Sequence, residues 1–537
     1  MEAEAERSST SSEDISVSSY DSSLVKNPNS EEEQREEEEQ SDCNDYEDVH
    51  QAKRRKYVAV FIDSDDEDRI SDLSDSIILS ILAFLPTKDA IKTGVLSKRW
   101  VQLWTSIPSL SFSDAGYFKN AKVFASNVDS ALLLHSAPKL SNFLLEFWYN
   151  SQFKTRVDDW VRFATAAKVD QLSLKLSSNH YKNSEAYVLP EDLYANEFVS
   201  EFEFCFCKIF PTGVVNWSSL KRLCIGYTAL PEEAIAKVLM GSPKLEYLEL
   251  CNCCQVKLLG IVSDSLRKLV IKDHLRHSYF PAVELEIVAP KIESLEILGN
   301  FDRNKCRIKD VSALVEAKLD FHMSMGCRCK KEDACKEYQD IVRGLLESVH
   351  HVKELTVGPW CLMVLSIMSV KHRPFPSLKC KRLTVKTSMK KWDFLGIASL
   401  LQSSPCVETL VMDIKSPDNS GSEFLGRRYF HTRKFNEVSH WKSKKIHSKS
   451  LLQYLKTVKI CGCVERLFHR KEVFISVVQF LLKNAKVLEK MVISEALVTQ
   501  NQHMVHEFRQ LAQKLISFPK SSPQVMVMSC SHISKII

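Results

Sequence analysis

The sequence lacks the features that mark membrane-spanning, secreted and catalytic proteins. No apolar run approaches the roughly 18 residues that a membrane helix needs. The first residues, MEAEAERSSTSSED, have neither the basic nor the apolar segment of a secretory signal, so we expect residence in the nucleus or the cytoplasm. The sequence also contains no glycine-rich phosphate loop, nucleophile elbow or HExxH pair. It therefore predicts a non-catalytic protein that needs no cofactor and no membrane.

Paired C-x2-C knuckles are absent as well, which weighs against a structural zinc site. The 17 cysteines are odd in number, and several lie in strand-like segments such as FEFCFC from Phe202. We interpret them as small buried residues in a reducing compartment. Cys327, Cys329 and Cys335, with His322 nearby, are of the types that bind zinc, but we disfavour that interpretation because the spacing is not that of a zinc motif. We predict no metal site.

Charge is distributed unevenly along the chain. Residues 1–68 hold 22 acidic and 7 basic residues, a net charge of −15, whereas the remainder carries +19. The Ser- and Glu-rich start cannot bury enough apolar surface to offset its chain entropy, so we predict a disordered acidic tail over residues 1–66. Its KRRK run at residues 53–56 is either a signal for an import receptor or a solvated charge run, and the sequence leaves both open.

Three short helical patterns follow in DRISDLSDSIILSILAFLPTKDAIKTGVLSKRWVQLW, which starts at Asp68. Pro86 ends the first pattern, and Thr87 and Ser97 are candidate N-caps for the next two. Three such helices enclose only a small core. Their surplus of large apolar side chains predicts burial against another molecule or domain.

A second regularity begins near residue 120, where helical apolar patterns are each followed by an LxxLxL-like strand pattern. Turn residues lie between several of them, as in GSPKLEYLEL from Gly241. A large residue of the helix pattern precedes one of the strand pattern by nine positions in six pairs: Leu134 and Phe143, Phe163 and Leu172, Leu239 and Leu248, Leu346 and Leu355, Leu401 and Leu410, and Leu482 and Met491.

Further strand patterns start at Leu220, Leu266 and Ile292 without so clear a helix. Units of this size cannot bury their apolar face alone, so their repetition predicts stacked repeats with a parallel sheet along one side. The pattern indicates leucine-rich repeats and an α/β fold class. An ordinary α/β domain with alternating strands and helices remains the alternative.

The stretch DRISDL, IILSILAFLPTKDAIKTGVLSKRW and the following LW closely resembles the F-box of plant F-box and leucine-rich repeat proteins. The segment from SHWKSKKIHSKSLLQYLKTVKICGC through FLLKNAKVLEKMVIS resembles the FBD region near the C-terminus of many such proteins. We therefore expect five segments: the disordered acidic tail (1–66), a short three-helix F-box (67–115) outside the repeat stack, a leucine-rich repeat solenoid (120–412), an exposed basic loop (413–450) and FBD-like terminal repeats (451–530).

The resemblance implies that the F-box docks on a Skp-type adaptor and, through it, on a cullin scaffold. The chain would then be the substrate-recognition subunit of an SCF-type (Skp-cullin-F-box) E3 ubiquitin ligase, with repeats that bind a protein target for ubiquitination. Carried over position by position, the adaptor-facing candidates are Leu73, Ile77, Ile78, Ile81, Leu85, Pro86, Val95, Leu96 and Trp100. Ser74 stands where the family usually has a proline that contributes to the adaptor contact, which puts the strength of docking in doubt.

A non-ligase binding scaffold in the nucleus is the alternative function. The charge of +19 beyond residue 68 and Ser74 favour it slightly. Nucleic acid is not the expected partner, because the basic residues are spread over the repeats and a loop without a known nucleic-acid module. The same charge suits an acidic protein target or a small anion on the binding face of a solenoid.

Overall fold

The computed structural model describes residues 70, 72–114, 121–177, 186–261, 263–273, 285–301, 306–323, 333–390, 392–414, 426, 429–430, 452–462, 471–495 and 502–530. The chain divides into two compact units, Met1–Ser74 and Asp75–Ile537. In the first unit the amide of Leu73 donates to the carbonyl of Ile70 at 3.2 Å. The predicted tail 1–66 and its KRRK run lie outside the described residues.

Three short helices open the second unit: α1 (Asp75–Leu82), α2 (Thr87–Lys92) and α3 (Lys98–Leu103). Pro86 separates α1 from α2, because its ring fixes φ and it has no amide hydrogen to donate. The prediction that Thr87 caps α2 is wrong, since Pro86 holds the cap position and Thr87 is the first helical residue. Ser97 precedes α3 in an extended conformation, but its side chain makes no capping hydrogen bond.

Eight further α-helices have their bounds among the described residues: α4 (Ala121–Leu134), α5 (Lys154–Ala166), α6 (Glu232–Met240), α7 (Asp333–Ser348), α8 (Pro359–Val370), α9 (Asp393–Ser403), α10 (Lys471–Asn484) and α11 (Gln502–Ile516). None of the helices in this described part of the chain is both long and apolar enough to cross a membrane.

The strands are β1 (Ser109–Ser113), β2 (Asn142–Trp148), β3 (Gln171–Ser177), β4 (Tyr187–Val188), β5 (Glu201–Cys205), β6 (Cys207–Lys208), β7 (Arg222–Gly226), β8 (Tyr247–Cys251), β9 (Leu258–Gly260), β10 (Lys268–Asp273), β11 (Leu285–Val288), β12 (Ser294–Asn300), β13 (Cys306–Lys309), β14 (Glu316–His322), β15 (Glu354–Val357), β16 (Arg382–Thr387), β17 (Thr409–Ile414), β18 (Thr457–Gly462), β19 (Lys490–Glu495) and β20 (Met526–Cys530).

One sheet contains 15 of these strands, in the order β1, β2, β3, β5, β7, β8, β10, β12, β14, β15, β16, β17, β18, β19 and β20. Every pairing in it is parallel. The order follows the chain without a reversal, whereas a doubly wound α/β domain reverses its strand order near the centre. Each unit advances the sheet by one strand, as in a repeat solenoid. The predicted leucine-rich repeat architecture with a parallel sheet is confirmed over the alternative α/β domain.

A continuous row of buried side chains runs across this sheet at one register position. It begins at Leu110 on β1 and continues through Phe143 on β2 to Met491 on β19. The strand members of all six nine-residue pairs lie in this row and are almost inaccessible to solvent. The helix members differ from one another, since Leu482 is buried whereas Leu134 is 59% exposed. The predicted strand register is therefore confirmed, and the helix register holds only in part.

Strands replace helices on the back of some repeats. Among the described residues, β9, β11 and β13 form a parallel three-stranded sheet, and β4 pairs with β6. Strands β9 and β11 lie before the strand units that start at Leu266 and Ile292, and β6 lies before the unit that starts at Leu220. Their presence explains why the sequence shows no helix pattern before those strand units.

The segment predicted as an exposed basic loop, 413–450, is buried where the structure describes it beyond β17. Tyr429 and Phe430 are buried, and the ring of Phe430 stacks on Trp392 with 5.7 Å between centroids. A Cβ on Gly426 would lie 2.6 Å from the Trp392 ring. Gly426 and Phe430 thus pack against Trp392 at the start of α9, and Tyr429 is buried with Lys371 over its ring. The predicted exposure is therefore wrong at these three positions. Basic residues elsewhere in the segment lie outside the described part of the chain.

Candidate docking surface on the first three helices

Helix α1 and the turn after it carry two apolar stripes at the same helical spacing. The inward stripe consists of Ile78, Leu82 and Leu85, of which the first two are fully buried. The outward stripe consists of Ile77, Ile81 and Phe84, all exposed, with Phe84 90% accessible. A helix that packs only on its own domain needs one apolar stripe. The second stripe is therefore free for a contact with another molecule.

More exposed apolar side chains lie on α2 and on the 3-10 turn Thr93–Val95 that follows it. Ile91 and Leu96 are exposed, and Val95 is 89% accessible. Gly94 lets this turn approach α3, because a Cβ there would lie 3.0 Å from the Val101 side chain. The turn thus presents two adjacent large apolar residues to solvent, an arrangement with no benefit to the isolated chain.

The interior of the three-helix unit is small and aromatic. Trp100 on α3 is 7% exposed, and Trp104 and Ala90 are buried as well. The Arg99 Nε donates to Asp75 Oδ1 at 2.7 Å and ties α3 to the start of α1. Both partners are exposed, so this ion pair contributes at most about 1 kcal/mol. Apolar packing around Trp100 and Trp104 therefore stabilises the three-helix unit more than this ion pair does.

The unit is joined directly to the repeat sheet. The Thr87 hydroxyl, fully buried, accepts a hydrogen bond from the Ser111 amide of β1 at 2.7 Å. The Ser136 amide donates to the Thr105 carbonyl at 2.7 Å. His135 lies 2.9 Å from the Ile107 carbonyl through Nε2, and burial lowers the pKa of its imidazole. These contacts hold the helices against the first strand, so the expectation that they lie outside the stack is wrong.

The structure separates the nine candidate residues by exposure. Ile77, Ile81, Pro86, Val95 and Leu96 are exposed, and Leu85 is half-buried. Ile78 and Trp100 are buried within the chain, so their predicted outward role is corrected to internal packing. Leu73 and Ser74 belong to the first unit. For the accessible residues the adaptor contact stays a prediction.

Two exposed residues, Phe84 and Ile91, were missed by sequence reasoning. The signal for Phe84 was present, because residues 77, 81 and 84 repeat the spacing i, i+4, i+7. The inward stripe obscured this signal, because residues 78, 82 and 85 show the same spacing one position later. Ala90 and Ile91 are adjacent apolar residues of α2, and the sequence pattern could not show that Ala90 is buried and Ile91 exposed.

Metal-binding residue types are spread out in the part of the chain that the structure describes. No group of three His, Cys, Asp or Glu side chains in the described part of the chain could bind a metal ion. Cys327 and Cys329 lie outside that part. Burial raises the pKa of the Cys205 and Cys224 thiols to about 12, so both stay protonated and are weak nucleophiles.

Two family models match the chain. The F-box domain model matches residues 70–112, and the model described as "At1g61320/AtMIF1, LRR domain" matches residues 132–517. Among similar proteins, the putative F-box/LRR-repeat protein At3g18150 of Arabidopsis thaliana is 31% identical over 431 residues, covering 79% of this chain and 86% of that protein. The F-box/LRR-repeat protein At5g02910 of the same plant is 32% identical over 383 residues, covering 71% and 79% respectively.

Proposed function

The chain belongs to the F-box/LRR-repeat proteins, and on that premise we propose that it is the substrate-recognition subunit of an SCF-type E3 ubiquitin ligase. In this role the first three helices dock on a Skp-type adaptor, which connects them to a cullin scaffold. The repeats bind a protein target. We place this activity in the nucleus or the cytoplasm.

The outward stripe of α1 is the observation that carries the proposal. Burying one large apolar side chain contributes roughly 1.5 to 3 kcal/mol, and Phe84 alone leaves nearly its whole ring available. Ile77, Ile81 and the Val95–Leu96 pair add to the apolar area that a partner can cover. An interface of this composition gains its free energy from apolar burial and loses little of it at high salt.

The attachment of the helices to β1 supports the second half of the proposal. Ubiquitin transfer needs a target lysine to stay close to a separately recruited enzyme, and proximity of this kind raises the effective concentration of the reacting groups. A flexible linker between the adaptor-binding helices and the target-binding sheet would reduce that effect. The bonds at Thr87 and Ser136 replace such a linker with direct packing.

The test compares one exposed and one buried aromatic residue of the same small unit. Phe84→Ala should weaken adaptor binding at least about tenfold, equivalent to 1 to 2 kcal/mol, while the unfolding midpoint stays unchanged. Trp100→Ala should lower the unfolding midpoint as well, because it leaves a cavity in the unit. Leu133→Ala on α4, equally exposed but in the repeats, is the matched control and should change neither quantity. Affinity is measured by calorimetry with a purified Skp-type adaptor.

The ligase proposal is refuted if the wild-type chain binds no adaptor at any salt concentration and Phe84→Ala behaves in the same way. Binding of the chain to nucleic acid under those conditions, weakened by salt in the manner of phosphate contacts, would support the scaffold function instead.

A further inference from the structure

The open face of the 15-stranded sheet changes its charge from one end to the other. Side chains of successive strand residues alternate between the two faces, so the residues between the buried positions form this open face. The charge of the open face, and how far it is neutralised by ion pairs, differs among three groups of strands: β2 to β8, β10 to β16 and β17 to β20.

Strands β2 to β8 present carboxylates whose hydrogen-bond donors are mostly neutral. Glu146 accepts from the Ser113 hydroxyl at 2.7 Å, and Glu249 accepts from the Tyr247 hydroxyl at 2.6 Å. Neutral donors satisfy the oxygen atoms but leave the negative charge in place. Two cations lie on the same part of the face: Lys175 is 3.2 Å from Glu203, and Arg222 lies over the Tyr247 ring and interacts electrostatically with Glu249. The four carboxylates of Glu146, Glu201, Glu203 and Glu249 outnumber these two cations. This part of the face therefore repels an acidic partner.

Strands β10 to β16 largely neutralise their own charges. Glu296 is buried between Lys268 and Lys318, both of which bind its carboxylate. Burial alone would raise the pKa of Glu296, but the hydrogen bonds from the two lysines lower it below its usual range. Asp320 and Lys386 pair at 2.6 Å. Charges already engaged in this way offer little to a ligand.

Strands β17 to β20 present lysines with no ion-pair partner among the described residues. Lys459 is exposed on β18, and the register places it between Val411 and Val492. Lys490 is exposed on β19, two residues before Val492 on the same face, and Met526 lies opposite it on β20. Two lysines without an ion-pair partner among the described residues thus lie beside apolar side chains. The carboxylate that β17 adds to this face, Asp413, lies opposite Lys386 of β16.

We propose that this patch, formed by Val411, Lys459, Lys490, Val492 and Met526, binds an extended acidic peptide segment whose carboxylates alternate with apolar side chains. The proposal rests on the proposed function, since it names the class of target segment that the receptor recognises. The carboxylates of the segment pair with the two lysines, and its apolar side chains pack on the valines and the methionine. Repulsion from β2 to β8 restricts such a segment to this end of the sheet.

A peptide fits this surface better than a nucleic acid does. Single-stranded nucleic acid binds where basic grooves are combined with aromatic side chains on which bases stack. The patch has no aromatic side chain among its described open-face residues, and its two lysines are flanked by aliphatic groups. Aliphatic flanks match the side chains of a peptide and contribute nothing to phosphate binding.

The test starts from a phage-displayed library of random 12-residue peptides, selected on the full chain. We expect the selected peptides to be enriched in aspartate, glutamate and aliphatic residues. The most frequent peptide should bind about tenfold more weakly to the double variant Lys459→Glu/Lys490→Glu at low ionic strength. Lys486→Glu, at the turn between α10 and β19, is the matched control and should change the affinity less than twofold. Unfolding midpoints of all variants are compared to show that the fold is intact.

Three outcomes overturn the proposal: a library that yields no binder, selected peptides without acidic enrichment, or a double variant that binds as tightly as the wild type. Displacement of the peptide by a 20-nucleotide oligothymidine at equal concentration also overturns it, in favour of a nucleic-acid surface.

Adaptor affinity is measured on the same samples. Failure of the peptide experiment with adaptor binding intact refutes only this inference, and loss of adaptor binding alone refutes only the proposed function.

Discussion

Gly358 allows a salt bridge to form across an intervening strand, and we expect a methyl group at this position to destabilise the protein. Lys386 on β16 reaches Asp320 on β14 although β15 lies between them, and Gly358 follows directly after β15 at the same register position. A Cβ on Gly358 would contact Asp320 Oδ1 and would lie 2.8 Å from Asp320 Cα. The carboxylate can rotate away, but the Cα cannot, so the backbone must shift.

The magnitude follows from two contributions. Forcing a methyl group into filled space costs about 1 to 3 kcal/mol. Loss of the Lys386–Asp320 pair, whose side chains are about one-fifth to one-quarter exposed, adds at most about 1 kcal/mol. The φ of Gly358 is −84°, an ordinary value for any residue, so no backbone penalty enters. Gly358→Ala should therefore reduce the free energy of unfolding by about 1 to 4 kcal/mol.

The assay is urea unfolding followed by circular dichroism, with the same substitution at a second glycine as control. Gly344 lies within α7, and a Cβ there would meet nothing within 4 Å. Gly344→Ala should stabilise the protein by about 0.5 to 1 kcal/mol, because alanine loses less backbone entropy in a helix. Lys386→Met should also cost less in the Gly358→Ala background than in the wild type, since the pair is already broken. Equal stability of the two alanine variants would refute the reasoning.

Three further predictions follow from single buried or substituted positions. Leu482→Ala should cost about 2 to 5 kcal/mol of unfolding free energy, whereas exposed Val487→Ala, tested by the same denaturation, should stay within about 0.5 kcal/mol. Burial raises the pKa of Asp393 to about 6, so the folded state binds the proton more tightly than the unfolded state does. The free energy of unfolding should therefore fall from pH 4 to pH 6. Asp393→Asn should make the melting temperature less dependent on pH over this range. Ser74→Pro should bind the Skp-type adaptor equally or more tightly in calorimetry if docking follows the family's mode; weaker binding would contradict that mode.

The sheet register was predictable from sequence because it depends on a strict local pattern. Leucine or another large apolar residue recurs at the buried row, and a one-residue slip would expose every member of a strand. Strand β14 was not predicted, since Ala317 occupies that row and provides no large apolar signal. The small sheet formed by β9, β11 and β13 was not predicted either, because strands of three or four residues are too short to show a period.

The candidate docking surface was predictable in position but not in detail. Family resemblance and the apolar surplus both indicated the three helices, yet neither could decide which side chains point inward. Trp100 is the clearest case, since large aromatic residues are common both at interfaces and in small cores. Only the accessibility of Trp100 in the structure, 7%, shows that its ring lies inside. Phe84 became visible in the same way, because burial of one stripe of α1 leaves the other exposed.

The contact between α2 and β1 makes the docking helices part of the repeat architecture. The first strand of a stacked sheet has an edge on which no earlier repeat packs, and repeat proteins need a capping element there. Thr87 supplies a buried acceptor to the amide of Ser111 at that strand, and the Phe112 and Phe143 rings pack edge to face behind it. The three helices therefore serve as the cap of the stack as well as its docking surface. Changes in their interior must then weaken the first repeats together with partner binding, while changes on the outward stripe of α1 affect binding alone.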